Sequence, residues 1–368
     1  MQSPSAPDSA IQAIDDLLGS VGLEHGHRRV RRALPNFQRQ EWELKPPAVE
    51  SGLRLRKGGA VPFLEVPSWQ AEVAHGFSTR AGGCSTVYSA AIGDESDTQP
   101  VGELNLGFTT VDEAEHVERN RVALLTSVWA AEKSAVPPLV PKLVTLRQIH
   151  SGLTHRVRTD VGAAVAGITA AETAGNELRG DGLMTDHPGV MLGVQTADCV
   201  PVLVFDRRRG AVAAFHAGWR GTLKRIVEGG IGRMRLEFGS KPEDLEAAVG
   251  PAVGGCCYAV GEEVRSEFAS QFSYADALFR EVYDSDPVKE KYPLLFMTAR
   301  APGHSNIGPS LHLDLAEANR RQLEDAGLSP QAIHMAHTCT ACHPAQFFSY
   351  RAERGFCGRM MAVIGRRG

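Results

Sequence analysis

The stretch Gly189–Asp206, GVMLGVQTADCVPVLVFD, decides the fold because two apolar runs flank a short polar segment. The length and β-branched content of these runs predict two strands, over 189–194 and 201–206. The intervening QTAD interrupts the apolar character, so the stretch is not a continuous 18-residue membrane span. The first strand is therefore expected to run through polar residues into Cys199.

Similar apolar runs occur along most of the chain. From about Val61 onward, short apolar runs alternate with helical patterns, which predicts an α+β fold of mixed β-sheets flanked by helices. Further strands are predicted at LVTLRQI, AVAAF, LEAAVG and GRMMAVIG, and helices at TLKRIVEGGIGRMRLEF and LAEANRRQLEDAG. No repeat of fixed period is present, so we expect one large catalytic domain over residues 61–368.

Residues 1–60 lack this alternation of apolar runs and helical patterns and are predicted to form an N-terminal appendage. SAIQAIDDLLGS predicts a short helix, and HGHRRVRRALPNF predicts a basic linker whose arginines are more simply solvated than bound to phosphate. The first residues lack a basic start followed by an apolar core and include several aspartates. We therefore expect no targeting segment and a cytoplasmic location.

Composition narrows the classes of partner. The 368 residues carry a net charge of −4, which gives no basic field for a nucleic acid or an anionic membrane. A small neutral or anionic substrate is the expected ligand. Without an export signal, the seven cysteines are expected to be thiols.

The string CTACH, from Cys339 to His343, matches the pattern that attaches a c-type haem. Covalent haem attachment normally follows export, which argues against this interpretation. The alternative is that Cys339 and Cys342 pack as small apolar groups. A zinc ribbon would need a second cysteine pair, and none is suitably spaced; the adjacent Cys256 and Cys257 are interpreted as packing residues.

Chemically useful side chains follow three of the predicted strands: His150, Cys199 and His216. Two imidazoles and a thiolate suit Zn²⁺, and three protein ligands leave a fourth position for water or substrate. Spacing alone leaves two alternatives open. Each histidine could be a hydrogen-bonded strand-end residue, or Cys199 could be a nucleophile with a histidine base, as in thiol hydrolases.

Several motifs occur in order between His75 and Ile364: HGFSTRAGGCS, LNLGF, VERNRVALL, LRQIHSG, DGLMTDHPGVMLGVQTADCVPVLVFD, AAFHAGWRGT, AAVGPAVGGCCYAVGEEV, LDLAEANRRQL and CTACHPAQFFSYRAERGFCGRMMAVIG. Together they resemble the laccase-domain family of purine nucleoside phosphorylases and adenosine deaminases. This family has long been described as multicopper polyphenol oxidases, and in bacteria its members are also called peptidoglycan-editing factors.

The resemblance implies that His150, Cys199 and His216 bind one zinc ion. It also implies phosphorolysis of adenosine, inosine, guanosine or methylthioadenosine and deamination of adenosine. Copper could replace zinc, because Cu²⁺ binds nitrogen and sulfur donors more tightly, and weak polyphenol oxidase activity would follow. A multicopper cluster is disfavoured because the chain has only one His-x-His pair, His25 and His27. CTACH is richer in ligands than the family generally requires, which leaves an auxiliary metal open.

Four further residues are candidates for the chemistry. Asp198 could transfer protons during deamination or could instead position the neighbouring Cys199. Arg80 could bind phosphate with its guanidinium or tie its turn to a carboxylate. Asn105 and Gln148 could bind the base or ribose, or satisfy buried backbone groups.

Two functions of other classes remain as alternatives. One is a Cys199-dependent thiol hydrolase that trims cell-wall precursors. The other is a partner-binding module without catalytic activity, in which the helix of the appendage docks a partner.

Overall fold

The computed structural model describes residues 52–57, 59–89, 102–130, 141–158, 178–282 and 310–367. The helix and basic linker predicted within 1–51 lie outside these residues. In the described part, sixteen strands form three sheets and additional short pairings, and five α-helices accompany them. The predicted α+β class, with mixed sheets flanked by helices, is confirmed.

Two six-stranded sheets carry the fold. The first has the order β1 (Arg54–Arg56), β2 (Phe63–Glu65), β3 (Val73–Ser78), β16 (Met360–Arg366), β8 (Val190–Thr196) and β5 (Lys142–Val144). The second has the order β15 (Ile333–Met335), β11 (Leu245–Val249), β9 (Val200–Asp206), β10 (Val212–Ala217), β7 (Gly182–Thr185) and β6 (Thr154–Arg156). Each sheet is mixed, because β5 runs parallel to β8, β6 to β7 and β11 to β15.

The remaining elements are smaller. A third, antiparallel sheet has the order β12 (Ala259–Val260), β14 (Ser310–Leu313) and β13 (Phe279–Val282), and β4 (Ala81–Ser85) pairs with Glu103. The helices are α1 (Ala114–Trp129), α2 (Trp219–Leu223), α3 (Ile226–Phe238), α4 (Glu262–Gln271) and α5 (Leu315–Asp325). None of the helices in the described ranges is long and apolar enough to cross a bilayer.

The stretch Gly189–Asp206 joins the two large sheets. β8 belongs to the first sheet and β9 to the second, so residues 197–199 pass from one sheet to the other. Side chains alternate along both strands: Leu192 of β8 packs with Leu203 and Phe205 of β9 between the sheets. Val202 and Val204 of β9 face the opposite side. This period of two produces a sheet-on-sheet core with apolar side chains on the outer faces as well.

Helices cover both outer faces. Helix α1 packs Leu124 and Val128 against Met191 and Val363 of the first sheet. On the second sheet, α3, α4 and α5 contribute to a larger core that includes Phe215 of β10. The order of layers is therefore helix, sheet, sheet, helix. Because both faces of each central strand are covered, these strands appear in the sequence as continuous apolar runs.

Three sequence-based boundaries differ from the structure. The single helix predicted from Thr222 to Phe238 is wrong, because Arg225 has a φ of +56° and separates α2 from α3. The Arg225 guanidinium donates to Glu228 and to the carbonyl of Gln271, which holds this left-handed residue in place. The predicted strand LVTLRQI is regular only as far as Val144. Residues 54–56, expected in the appendage, form the edge strand β1.

Candidate active site

Three donor side chains meet at one end of the two central sheets. His216 lies near the end of β10, Cys199 directly precedes β9, and His150 lies in the loop between β5 and β6. Their ligand atoms all lie within 4.8 Å of one another, and Cys199 Sγ is 4.0 Å from His150 Nε2. His150 is exposed, Cys199 is half-buried and His216 is buried, so the group extends from the core to the surface.

Asp181, directly before β7, holds two of these donors in place. Its Oδ1 accepts from His216 Nδ1 at 2.8 Å and from the backbone N–H of His150 at 3.1 Å. Its Oδ2 accepts from the backbone N–H and the hydroxyl of Ser151, at 2.6 and 2.7 Å. With Nδ1 engaged by the carboxylate, Nε2 is the ring nitrogen of His216 that remains for Cys199 or a metal ion. This carboxylate–histidine pairing is typical of metal ligands.

The site favours a negative sulfur beside a positive imidazole. Burial raises the pKa of Cys199, but the charge of His216 and the contact with His150 outweigh it and lower the pKa to about 6. Burial lowers the pKa of His216, yet the Cys199 charge and the Asp181 hydrogen bond raise it to about 9. Burial also opposes ionisation of Asp181, but the hydrogen bonds from His216 and Ser151 lower its pKa to about 2. A cation at this position would replace the proton on His216.

The three donors lie in a cleft of about 1290 Å³. Its lining includes the aromatic side chains of Phe108, Tyr258 and Tyr350, and the rings of Phe108 and Tyr350 are partly exposed. Four arginines also line it: Arg147, Arg351, Arg354 and Arg359. Exposed aromatic faces together with guanidinium groups suit a planar ring system that carries or meets an anion.

Asp198 also lines the cleft, but its carboxylate is engaged by protein groups. Oδ1 accepts from the hydroxyls of Thr340 and Ser349, at 2.6 and 2.7 Å, and Oδ2 accepts from the backbone N–H of Arg351 at 2.7 Å. The residue has a φ of +88°, which belongs to the turn that precedes Cys199. These contacts favour the positioning alternative over proton transfer.

Arg80 and Asn105 do not line the cleft. The buried guanidinium of Arg80 donates to Glu103, at 2.9 and 2.6 Å, and forms an ion pair with Glu353 at 3.1 Å. Asn105 is fully buried and bonds backbone groups, including the N–H of Arg359 at 2.9 Å. Both arrangements match the structural alternatives, in which Arg80 ties its turn to carboxylates and Asn105 satisfies buried backbone.

Gln148 does line the cleft, yet both ends of its amide are occupied. Nε2 donates to the carbonyl of Gln195 at 2.8 Å, and Oε1 accepts from the N–H of the same residue at 2.7 Å. The amide thus pairs with the β8 backbone as another strand would. Gln148 therefore fastens the loop that carries His150 to the first sheet.

The sequence analysis missed two features of this site. Asp181 stands in the quoted motif DGLMTD, but its role depends on the pairing of β7 with β10, which places it beside His216. Arg351 is the last residue of the segment FFSYR and Arg354 follows shortly after it, in a part of the chain far from the other site residues. Both arginines stand inside the quoted motif CTACHPAQFFSYRAERGFCGRMMAVIG, so a search for charged residues within the matched motifs would have found them.

A second group of possible ligands lies outside the cleft lining. The sulfurs of Cys256, Cys257, Cys339 and Cys342 all lie within 4.8 Å of one another, close enough to hold a metal ion. The inference that no second cysteine pair accompanies Cys339 and Cys342 is therefore wrong. Cys256 and Cys257 supply that pair from a segment more than 80 residues away.

Most of the chain matches a known protein family. Residues 74–367 match the family model for multi-copper polyphenol oxidoreductase laccase, and the chain belongs to this family. The resemblance drawn from the sequence motifs is thereby confirmed.

Particular relatives narrow the class. The chain is 33% identical over 270 residues to purine nucleoside phosphorylase YlmD of Geobacillus stearothermophilus, covering 73% of this chain and 85% of that protein. It is 33% identical over 187 residues to adenosine deaminase RL5 of an unknown prokaryotic organism, covering 51% and 62%. A crystal structure of the YfiH protein of Bacillus licheniformis superposes with a TM-score of 0.64 at 29% identity, covering 84% of this chain and 98% of that one.

Proposed function

We propose that this protein is a zinc-dependent purine nucleoside enzyme that cleaves nucleosides with phosphate and deaminates adenosine. The observation that carries the proposal is the convergence of His150, Cys199 and His216 at an open cleft lined by aromatic and arginine side chains. The names of the relatives support the same substrate class, because they are a purine nucleoside phosphorylase and an adenosine deaminase.

The donor set fits zinc. Two imidazoles and a thiolate form the three-ligand group of a catalytic zinc site, and Asp181 orients His216 as such sites require. All three donors line the cleft and His150 is exposed, so an ion held by them would be accessible to water and substrate. Zinc at this position supplies Lewis-acid chemistry, which makes water nucleophilic near neutral pH. Copper could substitute in vitro, because it binds the same donors more tightly.

The cleft can hold both parts of the substrate pair. The exposed rings of Phe108 and Tyr350 offer faces for a purine. Arg351 and Arg354 are exposed and line the cleft, and in this proposal their guanidinium groups bind inorganic phosphate in bidentate fashion, the role that the sequence analysis considered for Arg80. Asp198 acts here as a positioning residue that links Arg351 to the turn before Cys199.

Product analysis tests the proposal directly. The protein is incubated with adenosine, with and without phosphate, and the products are separated by chromatography. Adenine and ribose-1-phosphate that form only with phosphate report phosphorolysis, and inosine reports deamination. If neither product forms with adenosine, inosine, guanosine or methylthioadenosine, the proposal is wrong.

Paired variants separate the two activities. The double change Arg351→Gln and Arg354→Gln should raise KM for phosphate at least tenfold and leave deamination nearly unchanged. His150→Ala should instead abolish deamination and lower the zinc content. A conservative Arg354→Lys keeps the charge but loses the planar fork, so it should retain only part of the phosphate affinity.

A second candidate is the thiol hydrolase, and the cysteine environment favours it specifically. Cys199 has a lowered pKa, His216 lies beside it, and Asp181 orients that histidine. This order of thiol, imidazole and carboxylate is the arrangement of a cysteine nucleophile with its base. A metal-free protein that hydrolyses cell-wall precursors and is inactivated by iodoacetamide would favour this candidate over the metalloenzyme.

A further inference from the structure

Four cysteine sulfurs form a compact group on two segments that lie far apart in the chain. Cys256 and Cys257 lie in the turn after β11, and Cys339 and Cys342 lie in the loop after β15. Cys342 Sγ is 3.5 Å from Cys256 Sγ and 3.4 Å from Cys257 Sγ, and none of the four forms a disulfide. With Zn–S bonds of about 2.3 Å, the sulfurs of a tetrahedral site stand about 3.8 Å apart. The observed spacing therefore suits one ion at the centre of four thiolates.

Backbone hydrogen bonds hold the two segments in register. Ala252 pairs in parallel with Cys339, since its N–H donates to the carbonyl of Thr338 at 3.3 Å and its carbonyl accepts from Thr340 N–H at 3.0 Å. The two strands that lead into these segments, β11 and β15, are themselves parallel neighbours in the second sheet. The cysteines thus converge because the sheet places their segments side by side.

Local contacts also prepare the sulfurs as ligands. The backbone N–H of Gly254 donates to Cys339 Sγ at 3.2 Å, a contact that stabilises a thiolate. A side chain at Gly254 would stand 3.2 Å from both Cys339 Cβ and Cys256 Sγ, so glycine permits the close approach. His343 donates through Nδ1 to the Cys339 carbonyl at 2.9 Å, which closes the turn that carries Cys339 and Cys342.

We propose that Cys256, Cys257, Cys339 and Cys342 bind a second zinc ion in a closed tetrathiolate site. Four thiolates select zinc or iron over magnesium and calcium, and they leave no open position for substrate. The ion is therefore structural. The proposal does not depend on the proposed function, because none of its four ligands belongs to the group in the cleft.

The position of this second site indicates what it stabilises. The carbonyl of Asp198 accepts from Val253 N–H at 2.9 Å, and its carboxylate accepts from the Thr340 hydroxyl at 2.6 Å. The two segments that the ion would join are thus the two that hold the residue before Cys199. Tyr258, which lines the cleft, directly follows Cys257. The tetrathiolate site would fix this wall of the cleft from outside.

Metal content measured by mass spectrometry tests the assignment on the full-length protein. The double variant Cys256→Ser and Cys342→Ser should lose one zinc equivalent relative to the unaltered chain. The double variant His150→Ala and His216→Ala should keep that equivalent. Cys84→Ser, which changes a thiol outside the group, serves as the matched control and should lose none.

The outcomes separate this proposal from the proposed function. Two zinc ions in the unaltered chain support both sites. A single zinc ion that is lost in the cysteine variant but kept in the histidine variant supports the tetrathiolate site alone. A zinc content unchanged in the cysteine variant overturns the second site, as does a mass that shows the four cysteines paired in disulfides. Iron in place of zinc in protein expressed with both metals available overturns the assignment to zinc.

A spectroscopic measurement tests the tetrathiolate site even if the cysteine variants do not fold. In the His150→Ala and His216→Ala background the four cysteines are intact, and cobalt(II) is added to metal-depleted protein. One equivalent should give the strong visible and sulfur-to-metal absorption of tetrahedral cobalt thiolate, and zinc should displace it. Absence of that absorption in protein that retains its circular dichroism contradicts the proposal.

Discussion

At the scale of single residues, the candidate site depends on groups that orient others. Asp181 is fully buried and does not line the cleft, yet it holds His216 through Nδ1 and fixes the backbone of residues 149–151. Gln148 and Asn105 act in the same way on the backbone of Gln195 and Arg359. The side-chain amides of Gln148 and Asn105, which the sequence analysis considered as substrate ligands, therefore hold the neighbouring backbone in place.

Asp181→Asn tests this orienting role. The amide keeps the shape but removes the charge that holds His216, so affinity for zinc in the cleft should fall about 10- to 100-fold. Competition with a chelating dye measures the affinity. Asp186→Asn, at the other end of β7 and paired with Arg156, is the matched control and should leave zinc affinity unchanged. Equal effects of the two variants would contradict the assigned role.

His75 is predicted to make the folded protein sensitive to acid. Burial, with smaller contributions from the nearby Arg367 and His334, lowers its pKa to about 4, and its Nε2 accepts from the N–H of Val66 at 2.8 Å. Between about pH 6.5 and 4, the unfolded chain binds the extra proton and the folded chain does not. Stability is therefore complete above pH 6.5 and declines as the pH falls towards 4, by up to about 3 kcal/mol.

Urea unfolding of the unaltered chain and of His75→Gln over this range measures the effect. Glutamine does not titrate but can still accept from Val66, so its profile should be flatter between pH 6.5 and 4. The difference at pH 8 supplies the baseline cost of the substitution. Parallel profiles would show that His75 does not carry the acid sensitivity.

At the scale of elements, the break between α2 and α3 has a tertiary cause. The apolar spacing from Thr222 to Phe238 is compatible with one helix, but Arg225 adopts a left-handed conformation that its side-chain contacts with α4 support. Helix α2 thus begins at Trp219, soon after His216, while α3 packs against β10. Helical periodicity does not report such a change of direction, because the buried residues Thr222, Ile226 and Gly230 keep a spacing of four across the break.

Gly230 on α3 tests the packing of that helix on the second sheet. A Cβ at this position would lie 2.3 Å from Cε1 of the fully buried Phe215. Gly230→Ala should therefore destabilise the fold by about 1–3 kcal/mol, the usual cost of overpacking. Gly229→Ala, one residue away with open space around it, should instead stabilise by up to about 1 kcal/mol through helix propensity. Thermal unfolding compares them, and two stabilising results would contradict the packing.

At the scale of the whole molecule, the two sheets share one core and meet at the cleft. The chain passes from the first sheet to the second at residues 197–199, so the turn that carries Asp198 and Cys199 is held by both. His216 comes from the second sheet, and His150 comes from the loop that Gln148 fastens to the first. The three donors therefore keep their spacing only while the sheets stay packed.

Leu203→Ala tests that shared core. Leu203 is fully buried between the sheets, and truncation there should lower the free energy of unfolding by about 2–5 kcal/mol. Leu236→Ala on α3 is the control, because that side chain is 85% exposed and should change stability by about 0.5 kcal/mol or less. Chemical denaturation measures both. A small effect at Leu203 would mean that the sheets do not share a tightly packed core.

The sequence by itself determined the fold class, most of the central strands and the three donor residues of the cleft. These features are local: β-branched runs such as PVLVFD, and distinctive motifs around His150, Cys199 and His216, are visible without knowing what lies beside them. Only the tertiary structure decided which side chains surround those donors and which distant cysteines come together. Asp181, the arginines of the cleft and the partnership of Cys256 and Cys257 with Cys339 and Cys342 arise from strand pairing, which joins residues far apart in the chain. Hydrogen bonds and ion pairs act over a few ångströms, so their partners are set by sheet order and not by spacing along the sequence.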